Sequence, residues 1–274
     1  MMTKCAAIQM ASGPNVRANL LEAEKLIADA AKTGAKLLAL PENFALMAID
    51  EQDKFKHAEI EGQGQIQDFL AAMAKKYALW IVAGTIPLLA KADQKVRAAC
   101  LIFNELGEQV ARYDKIHLFD VNLPDSQEQY RESLTIEAGE QPLVIHSPFG
   151  RLGIAICYDL RFPELFREML DLGMEVLVIP SAFTAKTGAA HWEVLLRARA
   201  IENLCYVIAP NQGGFHLNGR HTFGHSMIVD PWGVILESHK TGSGFITASI
   251  DLERLEKVRT NFPVLNHRRI FCKG

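Results

Sequence analysis

No apolar run in the chain is long enough to cross a bilayer as a helix, which excludes an integral helical membrane protein. The stretch from Met1 to Met10 is too polar, with too short an apolar segment, to read as a secretory signal. A cytoplasmic protein is therefore expected. Cysteine is scarce: Cys5, Cys100, Cys157, Cys205 and Cys272 are odd in number and far apart. That spacing excludes a disulfide framework and a zinc ribbon. An excess of one charge is also missing. Lys and Arg total 29 against 32 Asp and Glu, and the net charge of -3 indicates neither a nucleic-acid nor a membrane partner. Linkers rich in Ser and Gly, low-complexity tracts and internal repeats are absent, so 274 residues read as one domain over 1–260 with a tail over 261–274. There is no phosphate-cradling loop and no dinucleotide fingerprint. His216, His221 and His225 lie in a Gly- and Asn-rich loop with no carboxylate or thiol at ligand spacing, so no metal site is expected.

What the chain does hold is an alternation of buried strands and amphipathic helices. Strands are predicted over 5–10, 36–40, 80–85, 176–179, 206–209 and 245–250. Hairpins are predicted at 97–113, 143–156 and 227–236, each around a polar or Gly-containing turn. Helices are predicted over 15–33, 66–77, 163–172, 189–203 and 251–259. The stops at Gly34 and Gly173, and Pro163 at a helix start, fit the usual asymmetry of helix ends. This order gives an α/β fold with mixed sheets and helices outside.

Three polar residues follow buried strands directly. Leu37-Leu38-Ala39-Leu40 leads into Pro41-Glu42, Val110-Ala111-Arg112-Tyr113 into Asp114-Lys115, and Leu152 to Ile156 into Cys157. Ligands of open α/β sheets bind at the carboxyl ends of strands. If the three strands are parallel and adjacent, a carboxylate, an ammonium and a thiol share one pocket. Those are the groups of acyl transfer: a base, a cation for the developing oxyanion, and a nucleophile. The start of a helix after Cys157 is expected to favour thiolate over thiol. Cys5, Cys100 and Cys205 sit inside apolar runs and read as packed core thiols, while Cys272 carries no signal.

Leu40-Pro41-Glu42-Asn43, Tyr113-Asp114-Lys115-Ile116-His117-Leu118-Phe119 and Ile156-Cys157-Tyr158-Asp159-Leu160-Arg161-Phe162-Pro163-Glu164 occur in that order. In these segments the chain resembles the nitrilase superfamily of carbon–nitrogen hydrolases along essentially its whole length. The resemblance implies a four-layer αββα sandwich paired two-fold with a second subunit. It implies Glu42 as general base, Lys115 as electrophile and Cys157 as nucleophile, with no cofactor. Tyr130-Arg131-Glu132-Ser133 resembles the segment that supplies a second glutamate; Glu132 is the candidate and Glu128 its rival.

The stretches 180–184, 187–202 and 224–233 are similar to an amidase branch of that superfamily. The substrate so implied is a small-molecule amide, glutathione whose γ-glutamyl amine has become a ketone. It would be cleaved to 2-oxoglutarate and cysteinylglycine. Arg161, one turn past the nucleophile, is a candidate clamp for the keto-acid carboxylate, against a structural pair with Glu164. Tyr158, Phe183 and Thr184 are candidate pocket residues, and Trp192 reads as helix packing. Alternatives are an omega-amidase on 2-oxoglutaramate, a carbamoyl-amide hydrolase, a nitrilase, a metallohydrolase, and a non-catalytic binding protein of the same fold.

Overall fold

A computed structural model describes residues 2–92, 94–123 and 128–271. Cys272 and the end of the expected tail lie outside the described residues. In chain order the strands are β1 (Met2–Gln9), β2 (Leu37–Ala39), β3 (Trp80–Val82), β4 (Ile86–Leu89), β5 (Val96–Phe103), β6 (Gln109–Asp114), β7 (Asp120–Asn122), β8 (Gln129–Arg131), β9 (Leu143–Ser147), β10 (Gly150–Ile154), β11 (Val176–Val178), β12 (Tyr206–Ala209), β13 (Gly213–Phe215), β14 (His221–Phe223), β15 (Ser226–Val229), β16 (Ile235–His239) and β17 (Gly244–Asp251). The helices are α1 (Val16–Lys32), α2 (Asp53–Lys56), α3 (Gln65–Tyr77), α4 (Pro163–Asp171), α5 (Ala185–Asn203) and α6 (Leu252–Asn261).

Two mixed sheets carry the fold. The first runs β17-β1-β2-β3-β5-β4, with β6 on the other side of β5; the second runs β16-β15-β12-β11-β10-β9. Each has a parallel centre, β1-β2-β3 and β10-β11-β12, with antiparallel flanks. Helices connect the parallel strands, as such crossovers require. The strand sequences are continuous apolar runs because both faces are covered. Ala7, Ala39, Val82 and Ile102 of the first sheet share one core with Ile154, Val178, Val207 and Val229 of the second. The alternate residues Ala6, Ile8, Leu38 and Ile81 pack instead with Ala23, Ile27, Leu70 and Met73 of α1 and α3. On the far side, Phe166 and Met169 of α4 and Trp192 and Leu196 of α5 cover the second sheet. The layers are αββα.

Three expectations are corrected. The strands leading to Glu42, Lys115 and Cys157 are not adjacent: β3 and β5 stand between β2 and β6, and β10 belongs to the other sheet. The strand expected over 80–85 is shorter: β3 ends at Val82, and β4 starts at Ile86. Gly84, at φ 59°, turns the chain between them, and a Cβ there would lie 2.1 Å from the Pro41 carbonyl oxygen. The helix over 189–203 begins at Ala185, because the Thr184 hydroxyl accepts the Thr187 N–H at 3.2 Å and caps it. The three-residue strands outside the sandwich, β7, β8, β13 and β14, are too short and too polar to read from sequence.

Candidate active site

Face-to-face packing of the sheets brings the three strand ends together. Lys115, almost fully buried, sends its Nζ to Glu42 Oε1 at 2.8 Å and to both carboxylate oxygens of Glu132 at 3.0 and 2.8 Å. Glu132 Oε2 also accepts the Phe119 N–H at 2.7 Å. Glu128 instead takes the Tyr130 hydroxyl at 2.7 Å, so Glu132 is the one of the two rivals seen on Lys115. Glu42, Lys115, Glu132 and Cys157 all border one cavity of about 530 Å³.

Local backbone geometry aims these groups. Cys157 sits at φ 46°, a left-handed conformation that a non-glycine residue holds at a cost of order 1–3 kcal/mol. The turn is pinned because the Cys157 N–H donates to the Pro180 carbonyl at 2.9 Å. Asp159, wholly buried, accepts the Ile156 N–H at 2.9 Å and the Tyr113 hydroxyl at 2.7 Å. It also accepts the His117 N–H at 2.9 Å and contacts His117 Nδ1 at 2.7 Å. One carboxylate thus ties the Lys115 segment of the first sheet to the Cys157 turn of the second. His117 in turn stacks on Phe162 at 3.7 Å. On the other side Asn43, at φ 58°, gives its N–H to Thr85 Oγ1 at 2.8 Å, and Gln212 Nε2 donates to the Glu42 carbonyl at 3.0 Å.

The electrostatics correct one expectation. Burial first, and then the Glu42 charge, push the Cys157 thiol well above its ordinary pKa; Lys115 and the Ala182 N–H pull the other way and lose. That balance favours the thiol over a helix-start thiolate. Lys115 shows the opposite balance. Burial disfavours its charge, but the Glu132 and Glu42 carboxylates outweigh that and hold its pKa well above the usual lysine range. A fixed ammonium thus faces a thiol beside a carboxylate able to accept its proton. That arrangement suits nucleophilic attack on a carbonyl carbon.

The other candidate residues also border the cavity. Arg161 makes no ion pair with Glu164 among the described residues. Its Nη1 lies 3.2 Å from His191 Nδ1, and its guanidinium lies 5.8 and 5.3 Å from the Tyr158 and Phe183 rings. Phe183 packs on Trp192 at 4.8 Å, and the Trp192 Nε1–H bonds the His225 carbonyl at 2.7 Å, so Trp192 is helix packing. The Thr184 hydroxyl serves the α5 cap. His216 is tied between the Ser12 carbonyl (2.8 Å) and the Thr222 hydroxyl (2.7 Å), and His225 stacks on Phe223 at 4.0 Å. Among the described residues no three His, Cys, Asp or Glu are grouped to hold a metal. Sequence reading missed Lys54, Tyr130 and Arg220 on the cavity wall. Their only available signal was basic and aromatic residues in otherwise polar loops.

Comparison with known proteins adds independent findings. The family profile described as carbon–nitrogen hydrolase matches residues 4–260. A Synechocystis protein named deaminated glutathione amidase is 49% identical over 267 residues, covering 96% of this chain and 97% of its own. The crystal structure of the C. elegans NitFhit protein superposes with a TM-score of 0.89 at 35% identity, over 98% of this chain; this chain spans 65% of that one. Saccharomyces cerevisiae Nit3, described as a member of branch 10 of the nitrilase superfamily, gives a TM-score of 0.88 at 33% identity, over 98% of this chain and 97% of its own.

Proposed function

The chain belongs to the carbon–nitrogen hydrolase family, and from that premise we propose that its substrate is deaminated glutathione, cleaved to 2-oxoglutarate and cysteinylglycine. It is a hydrolase of carbon–nitrogen bonds other than peptide bonds, an amidase. The substrate reading draws on relatives bearing that name at 38–49% identity, bacterial and mammalian.

The geometry supports the following roles. Cys157 attacks the amide carbon while its proton passes to Glu42. The carbonyl oxygen becomes an oxyanion, held by the Lys115 ammonium and by a backbone N–H of the turn after the nucleophile, that of Tyr158. The C–N bond then breaks, and Glu42 returns the proton to the leaving amine. A thioester remains on Cys157. Glu42 takes a proton from water, the hydroxide adds to the thioester, and collapse breaks the C–S bond; the proton on Glu42 returns to the thiolate. Each transfer is local, and the chemistry calls for no cofactor. Glu132 fixes the ammonium. Arg161 receives the keto-acid carboxylate, and Tyr158 and Phe183 flank it.

The observation that carries this reading is the Lys115 ammonium clasped by Glu42 and Glu132 in the cavity that Cys157 borders. The test compares kcat/KM for deaminated glutathione, 2-oxoglutaramate and simple nitriles. Deaminated glutathione should lead, because its cysteinylglycine half adds binding energy usable at the transition state. A lead for 2-oxoglutaramate would make the enzyme an omega-amidase. The same reading makes it a cytoplasmic homodimer. Its buried thiols Cys5, Cys100 and Cys205 are all free, as suits a reducing compartment. An apolar surface on and beside α5 suits a second copy.

A further inference from the structure

Three aromatic rings stand side by side along the cavity wall. The Tyr130 and Phe119 centroids are 5.0 Å apart, and those of Phe119 and Tyr158 are 5.1 Å apart. Each end of the row carries a guanidinium: Arg161 lies 5.8 Å from the Tyr158 ring, and Arg220 lies 4.7 Å from the Tyr130 ring. The residues of the candidate site adjoin the Phe119 and Tyr158 part of the row. The Phe119 N–H bonds Glu132, and Tyr158 follows Cys157 directly. Along this wall Arg161 stands at the end beside Cys157, and Arg220 stands at the opposite end, beyond Phe119 and Tyr130.

The other cations of the cavity wall are committed: Arg131 donates to the Val121 and Tyr130 carbonyls and to Asn122 Oδ1. Lys115 is neutralised between Glu42 and Glu132, and Lys54 pairs with Glu51. Arg220 forms a longer ion pair with that same Glu51, at 3.7 Å, so it shares one carboxylate with Lys54, and the Glu128 carboxylate takes the Tyr130 hydroxyl. Arg220 is also fixed in place. The Asn218 Oδ1 accepts its N–H at 3.0 Å, and the Asn218 Nδ2 donates to the Ala48 carbonyl at 2.8 Å, which fastens the β13–β14 turn to the segment after Glu42. A half-buried guanidinium on a ring face is already partly stripped of water and presents a fork that matches a carboxylate.

On the reading that the substrate is a keto-acid amide, we propose that Arg220 is the binding site for a second carboxylate, carried by the amine half of the substrate. The cavity is then a receptor for an amide with a carboxylate at each end, Arg161 taking the acyl end and Arg220 the leaving end. Deaminated glutathione has both; 2-oxoglutaramate has only the first and leaves Arg220 unused.

The test crosses one change in the enzyme with one in the substrate. Wild type and Arg220→Gln are each assayed on deaminated glutathione and on its C-terminal carboxamide, with thermal melting to establish folding. Removing either partner of the pair should lower kcat/KM by roughly ten- to a hundredfold, the scale of a charge-assisted hydrogen bond, mainly through KM. Removing both should lower it little further, because the contact is lost once. Arg220→Lys should recover part of the loss. Fully multiplicative losses, or a wild-type enzyme indifferent to the carboxamide, would overturn the subsite while leaving the substrate reading intact. Preference of wild type for 2-oxoglutaramate would overturn both.

Discussion

Two left-handed residues bracket the chemistry. Cys157 is one, and Asn43 beside Glu42 is the other, so the proposed nucleophile and base both leave their strands on sharp turns. Cys157→Ala should fold with a melting temperature near that of wild type and lose turnover. Retention of more than a few per cent of amidase activity in the purified variant would rule out the thiol as nucleophile. In the proposed mechanism Lys115 and Glu42 act on one transition state. Lys115→Met and Glu42→Gln should each slow the chemical step on the order of a hundredfold or more. The double variant should lose less than the product of the two, which single-turnover rates will read. Burial and the Glu42 charge favour the thiol, so the rate should depend on Glu42 as acceptor and should not track a free thiolate.

Elements hold these residues by contacts remote in sequence. The β3–β4 break passes Gly84 under Pro41 with no room for a methyl group. Gly84→Ala would strain a positive φ and displace the backbone that carries Glu42. It should lower kcat more than it raises KM, and steady-state kinetics on the folded variant will check this. Equal activity would mean that the Pro41 turn moves freely. Helix α5 reaches back toward the nucleophile by another route. Buried Arg199 donates to the Leu160 carbonyl at 2.8 and 3.2 Å and pairs with Glu202 at 2.8 Å, so the helix braces the turn after Cys157.

At the scale of the whole molecule, α5 divides its apolar residues between two faces. Trp192, Leu196 and Ala200 enter the core, while Val194 and Ile201 remain exposed. Trp232 and Phe262, exposed and 5.4 Å apart, extend the apolar surface. Burying it in a dimer would remove a patch that monomers rarely leave open. Light scattering should give twice the chain mass at micromolar concentration; a monomer would contradict the pairing. A second global property is pH dependence. His216 links the Ser12 and Thr222 regions, and burial lowers its pKa below the ordinary 6.5. The folded chain then binds fewer protons than the unfolded one. Stability from this group is present above about pH 6.5 and is lost as pH falls through the lowered value. Melting temperature should drop between pH 7.5 and 5.5, and the drop should be smaller in His216→Gln.

The sequence by itself determined the alternation of strands and helices, since both-face burial and helical spacing are written in local runs such as Leu37 to Leu40 and α1. It also determined which residues stand at strand ends, because the three motifs surrounding Glu42, Lys115 and Cys157 are contiguous. Only the tertiary structure decided how those ends meet. Adjacent parallel strands were the simplest expectation, yet the groups converge across two sheets, and sheet packing joins residues dozens of positions apart. The thiol's protonation likewise depends on how deeply the sulfur is buried and how near the Glu42 charge lies, neither of which is a local property. Arg220 was invisible in its polar loop for the same reason: its meaning lies in the row of rings it caps, assembled from three separate segments of the chain.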